Sequence, residues 1–179
     1  MKGVKRIAVA ACVLSIVFAA MFLAGRHTAD SKLEERFFSN EAEFAALLAE
    51  VSADENLEMV KAFKARYAGH ILSFWDKSND LARFGFSTEQ WTRYRQQMRK
   101  LGIAQIGKAN GTVEFRVDPG YLWNGDSYKG YEYLTVPPDG HQKTRLDGYH
   151  PSEDDKTPFG GYEVYKPVKG NWYLYLFIS

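Results

Sequence analysis

The sequence predicts an α+β protein: an N-terminal transmembrane helix, then helices packed on one face of a five- or six-stranded, mainly antiparallel sheet. Three observations predict it. Residues 7–25 are an apolar run whose one polar side chain is Ser15. Residues 30–101 carry apolar positions at helical intervals, whereas residues 102–179 carry them at alternate positions. Helices first and strands second is the order of an α+β domain.

The run Ile7–Gly25 has no charge. At roughly 1.5 Å per residue its helix reaches about 28 Å, close to the ~30 Å of bilayer hydrocarbon. Lys2, Lys5 and Arg6 precede it, and Asp30, Glu34 and Glu35 follow. The positive-inside rule then keeps the N-terminus in the cytoplasm and places the rest in the periplasm of a bacterial inner-membrane protein. Two alternatives stay open. A cleaved signal would secrete the chain; the best small-x-small site ends at Ala19 and leaves an apolar stub. A lipobox reading of Val9-Ala10-Ala11-Cys12 leaves the cysteine inside the apolar run. The expected organisation is therefore a cytoplasmic 1–6, a span at 7–25, a juxtamembrane linker at 26–38 and one domain at 39–179, helical to 101 and stranded from 102.

In the helical half, Asn40 and Glu43 have capping-box spacing, and Phe44, Leu47, Leu48 and Val51 recur on one face, predicting a helix over 40–52. Met59, Val60, Phe63 and Tyr67 predict a second helix from Glu55 to about Tyr67, ended by Gly69. Residues 70–75 fit strand or helix, and 76–86 read as a loop. Ser87 and Gln90 open the clearest helix, with Trp91, Tyr94, Met98 and Leu101 as its apolar face and Gly102 as its stop.

In the strand half, residues 103–106 form a short strand and Asn110-Gly111 a hairpin turn. Residues 112–117 alternate cleanly, Asn124-Gly125 offers another turn, and 131–136 form a strand ended by Pro137-Pro138. Residues 137–159 read as a long polar loop. The last two strands are 162–168 and 172–178. Trp172, Leu174, Leu176 and Ile178 face one way and Tyr173, Tyr175 and Phe177 the other, which predicts a strand covered on both sides. Pro167 places its partner strand nearer an edge.

Composition excludes several classes. Beyond residue 29 there are 19 basic against 22 acidic side chains, a formal charge of −3, which is no nucleic-acid footprint. The one cysteine, Cys12, lies in the apolar run, so the domain has neither disulfide nor thiolate chemistry. No cofactor motif is present. Gly125–Gly130 brings Asp, Ser and Lys together but lacks the Gly-x-Ser-x-Gly elbow of a nucleophile.

Two features carry candidate chemistry. The 137–159 loop collects His141, Asp147 and His150 with Glu153, Asp154 and Asp155, the ligand types of divalent metals, in a spacing that fits no familiar site. Nine of the eleven tyrosines lie beyond residue 120. Among them Tyr131, Tyr133, Tyr162, Tyr173 and Tyr175 are candidates for a partner-binding surface, because tyrosine joins an apolar ring to a hydrogen-bonding tip.

Residues Ser127-Tyr128-Lys129-Gly130-Tyr131-Glu132-Tyr133, Pro137-Pro138 and Gly170-Asn171-Trp172-Tyr173-Leu174, with Trp91-Thr92-Arg93-Tyr94-Arg95, resemble a group of small exported or membrane-tethered proteobacterial proteins. Tyr128 is an extra residue against that pattern. The resemblance spans roughly 85–179 and implies class and compartment, not an activity. The sequence thus predicts a single-span envelope protein, tethered to the bilayer through Ile7–Gly25, whose periplasmic domain binds a protein partner. The alternatives are a small-ligand or metal-binding, possibly hydrolytic, domain and an immunity-type protein.

Overall fold

Three β-meanders of three strands each stand side by side in one antiparallel sheet. The structure, a computed structural model, describes residues 27–73, 75, 78–109, 111–122, 125–138, 141–158 and 160–179. Two helices come first, α1 (Asp30–Ser39) and α2 (Glu41–Ala53), followed by β1 (Leu57–Lys61), β2 (Lys64–Tyr67) and β3 (His70–Ser73). Helices α3 (Ser78–Arg83) and α4 (Thr88–Leu101) lead to β4 (Gln105–Ala109), β5 (Thr112–Leu122) and β6 (Gly125–Tyr133). After a long loop come a 3-10 turn, Glu153–Asp155, and β7 (Lys156–Thr157), β8 (Gly161–Lys169) and β9 (Trp172–Ile178). The strand order is β3-β2-β1-β4-β5-β6-β9-β8-β7.

This corrects the expected fold class. The sheet has nine strands rather than five or six, and the helices do not form one simple layer over a sheet of that size. The largest departure is at 55–67, where the predicted helix is instead the β1–β2 hairpin. Met59, Val60, Phe63 and Tyr67 satisfy a helical period, but the side chains the fold buries are Leu57, Val60, Ala65 and Tyr67. A shift in register between Leu57 and Met59 breaks the alternation that would have marked a strand. Ala68 and Gly69, at φ +48° and +76°, then form a two-residue turn into β3 and settle 70–73 as strand. The expected linker carries α1 from Asp30, and the expected 76–86 loop carries α3.

Strand β6 runs over 125–133 instead of the expected 131–136, and the Asn40 side chain donates to the Arg36 carbonyl instead of capping α2, whereas α4, β8 and β9 follow their sequence signals. Ser87 Oγ accepts the Gln90 N–H at 3.0 Å, Gly102 ends α4 at φ +64°, and Trp91, Tyr94, Met98 and Leu101 are its buried residues. Strand β9 lies between β6 and β8, and its residues 173–176 are buried. Strand β8, with Pro167, is flanked outside only by two-residue β7 and a single bridge at Gln142.

The main core joins Leu33, Phe37, Phe44, Leu47, Trp91 and Tyr94 of the helices to Ile106, Phe115, Tyr131, Val164, Leu174 and Leu176 of the sheet. Rings of Phe37, Phe44, Phe115, Tyr131 and Trp172 pack at 4.7–6.2 Å between centroids. A second cluster, Tyr165, Tyr173 and Tyr175 with Tyr128, Leu134 and Phe177, occupies the opposite side of the same strands, because side chains alternate across a sheet. This second side is called the tyrosine face below.

The single-span inner-membrane placement is also corrected. Among the described residues no helix is long and apolar enough to cross a membrane. The expected span, Ile7–Gly25, lies outside the described residues, so the structure gives the placement no support.

Candidate functional site

The metal expectation for the long loop dissolves into structural pairing. Asp147 accepts the Asp30 N–H with both carboxylate oxygens, at 3.1 and 3.0 Å, and so caps the start of α1. It also meets Lys129 Nζ at 2.7 Å. Burial raises its carboxyl pKa, but the Lys129 hydrogen bond and charge and the Asp30 N–H outweigh this and hold it below the ordinary range. Asp155 is engaged by Lys143, Ser152 and Tyr149. Glu153 meets Lys156 at 3.2 Å and the Tyr162 hydroxyl at 3.1 Å, and His150 is exposed. His141 lies apart from both, with its backbone carbonyl accepting the Tyr165 N–H. Among the described residues no three His, Cys, Asp or Glu side chains gather as metal ligands.

The loop's pairing extends to a buried charge cluster under α1. Lys129 is 1 % exposed and touches Asp30 at 2.6 Å as well as Asp147. Asp30 Oδ2 accepts the Leu146 N–H at 2.8 Å. Lys166 completes the group at 3.7 Å from Asp30 and 2.9 Å from Glu34. Ser127, two residues before Lys129 on the same side of β6, is hydrogen-bonded to His27 Nε2 at 2.9 Å. That distance suits a nucleophile and its base, but Ser127 is wholly buried, so no substrate reaches it.

Of the five tyrosines expected at a partner surface, three are internal. Tyr131 is fully buried in the main core, where its hydroxyl donates to the Leu33 carbonyl at 2.9 Å. Tyr173 and Tyr175 are buried in the second cluster. Tyr133, half-buried, packs edge-on to Trp172, and Tyr162 is held by Glu153.

What the sequence reading missed lies on the tyrosine face. A recess of about 370 Å³ opens between β4, β5, β6 and β8, and Glu114, Glu132, Glu163, Tyr165 and Leu134 line it. Glu114 and Glu132 sit directly opposite each other in the β5–β6 register. Like charges in that position destabilise a sheet. Gly107 makes room for this arrangement: a Cβ there would stand 2.7 Å from Glu114 Oε1. Lys108 also lines the recess, but its Nζ donates to the carbonyls of Val51, Ser52 and Asp54, which leaves Arg116 as the cation beside the acids. Arg116 binds Glu114 Oε1 through Nε at 2.8 Å and Nη2 at 2.5 Å, with its guanidinium 4.0 Å above the Tyr128 ring.

Glu132 forms no ion pair among the described residues, although the Tyr165 hydroxyl hydrogen-bonds to its carboxylate. It is 7 % exposed, and its Oε2 is buried with no hydrogen-bond partner. Burial first, then the charges of Glu163 and Glu114, push its pKa up to about 8. Burial likewise raises Glu163. Tyr165 faces both carboxylates; burial and their charges drive its hydroxyl far above the usual phenol range. Tyr175, 1 % exposed, feels Glu114 and Arg116, yet its hydroxyl meets no partner at hydrogen-bond geometry.

The sequence did carry a faint signal. Glu114, Glu132 and Glu163 each sit in a strand between two apolar or aromatic neighbours. Such a position ordinarily means a solvated face. Comparison of the chain with protein-family models, curated proteins and solved structures finds no match.

Proposed function

We propose that this is a non-catalytic binding protein that holds a protein partner on the tyrosine face of its sheet. The observation that carries the reading is the recess itself: three carboxylates line it, and Oε2 of the most buried one meets no hydrogen-bond partner among the described residues. A fold gains nothing by burying an acid without a partner. Local rules broken in this way mark places kept for an external contact. Tyr165 and Leu134 add the aromatic and apolar surface on which interfaces depend. The candidate nucleophile Ser127 is fully buried, which favours binding over catalysis.

A photo-crosslinking residue at Thr112, on the rim of the recess, tests this in cells expressing the full-length chain. The expected result is a discrete crosslinked protein adduct from position 112 and none from a control at exposed Arg99 on α4. No adduct at 112, or the same adduct from both positions, counts against the reading.

A further inference from the structure

We infer that the recess seats one guanidinium group, presented on an arginine side chain of the partner. The inference rests on the binding reading above and names the chemistry of its central contact.

Geometry selects the ligand. Glu132 and Glu163 enter from β6 and β8, and Glu114 from β5, so the acids line the recess from three different strands. They do not gather as metal ligands among the described residues. A cation that satisfies them must spread its donors over several ångströms. Guanidinium does so, with five N–H groups in a rigid plane, whereas ammonium concentrates its charge at one atom. The volume, about 370 Å³, also leaves space for an alkyl stem along Leu134 and Tyr165. Glu114 is already half-used by Arg116, bound at one oxygen. The vacant acceptors therefore belong chiefly to Glu132 and Glu163, and the unpartnered Oε2 of Glu132 is the deepest of them.

Arg116 shows the same pairing within the chain. It joins a glutamate to an aromatic ring, Glu114 to Tyr128. An incoming arginine meets an equivalent pair, Glu132 and Tyr165.

Binding is expected to release a proton. The groups that face Glu132 are Glu114 and Arg116 of β5, Glu163 and Tyr165 of β8 and Tyr175 of β9, with His141 of the long loop beside Glu163. None of the acids relieves it, and Arg116 is committed to Glu114. Glu132 therefore takes up its negative charge when a new cation arrives.

The test titrates the full-length chain with three blocked tripeptides, acetyl-Gly-X-Gly-amide, in which X is arginine, lysine or citrulline, by calorimetry between pH 6 and 9. The arginine peptide is expected to bind at least about tenfold more tightly than the other two. Its affinity rises by close to tenfold per pH unit below pH 8 and flattens above. Glu132→Gln abolishes the pH dependence and weakens binding at pH 8.5 by tenfold or more. Glu163→Gln weakens it and moves the pH dependence to lower pH without abolishing it, because the Glu163 charge is part of what raises Glu132. Equal binding of lysine or citrulline peptide, or an unchanged pH profile in Glu132→Gln, overturns the guanidinium assignment. No binding of the arginine peptide while the Thr112 adduct persists overturns this inference and spares the binding reading. Loss of both overturns both.

Discussion

The two sides of β6 bury charge in opposite ways. On the helix-packed side Lys129 sits between Asp30 and Asp147 at 2.6 and 2.7 Å, and each acid also accepts a backbone N–H. On the tyrosine side, three residues along the same strand, Glu132 is equally inaccessible but faces two more acids and an orphaned oxygen of its own. One strand thus carries a closed ionic network and an open one. A closed network ties segments together: Lys129 joins α1, β6 and the 137–159 loop, and Lys166 brings in β8. The open network costs stability, and on the proposed reading an outside cation completes it. Burial alone does not separate the two cases; completeness of partnership does.

The sharpest way to break the comparison is to unpair the closed side. Lys129→Met leaves Asp30 and Asp147 facing each other beneath α1 and removes the anchor of the loop. A loss of about 3–5 kcal/mol is expected in urea unfolding, the size of a buried pair broken from one end. Acid does the same in the wild type. Asp147 has a folded-state pKa below its ordinary one, so its contribution is present above about pH 4 and lost as pH falls through the lower folded value. Stability that stays flat from pH 5 to pH 2, or a Lys129→Met variant as stable as wild type, contradicts the closed-network description.

The open side predicts the reverse sign. Glu132 titrates near 8 when folded against 4.5 as a model side chain, so the folded state keeps a proton that the unfolded chain has released. Stability therefore declines as pH rises between those values and levels off above 8. Glu132→Gln removes that decline. At about 1.4 kcal/mol per pH unit over the roughly 3.5 units between those values, the variant gains on the order of 5 kcal/mol over wild type at pH 9. A substitution that stabilises the fold while weakening ligand binding is the signature of a site kept for function. Denaturation midpoints of the two proteins at pH 5 and pH 9 measure it; parallel midpoints at both values refute the strained-acid account.

How far each network was legible in the sequence follows from how its residues come together. Helix α4 was legible whole, because its cap, stripe and stop are all local. Strands β8 and β9 were legible to within a residue, because alternation and the Lys169-Gly170-Asn171 turn are local too. The first meander was not. Its apolar residues fall at helical intervals, and Ala68-Gly69 is a weaker turn signal than Asn-Gly. The recess was invisible for a different reason. Residues 114 and 132 meet across the β5–β6 hairpin, but 163 joins them only because β9 inserts between β6 and β8, an order that no local pattern encodes. Asp147 stood out only as a candidate metal ligand, whereas its contacts are with Lys129 and the Asp30 N–H, which spacing cannot foretell.

The finest test compares two tyrosines one residue either side of that divide. Tyr131 and Tyr175 are both about fully buried, and they lie on opposite faces of neighbouring strands. Tyr131 donates its hydroxyl to the Leu33 carbonyl of α1, whereas the Tyr175 hydroxyl has no partner. Tyr131→Phe removes a buried hydrogen bond and is expected to lose about 1 kcal/mol. Tyr175→Phe deletes an unsatisfied polar group of nearly the same shape, so its stability is expected to stay level or rise by up to about 1 kcal/mol. The pair holds volume and aromaticity constant, which leaves hydrogen-bond satisfaction as the one variable. Equal losses in both would mean that ring packing alone sets the energetics, and the distinction between a satisfied and an unsatisfied face of this sheet would collapse.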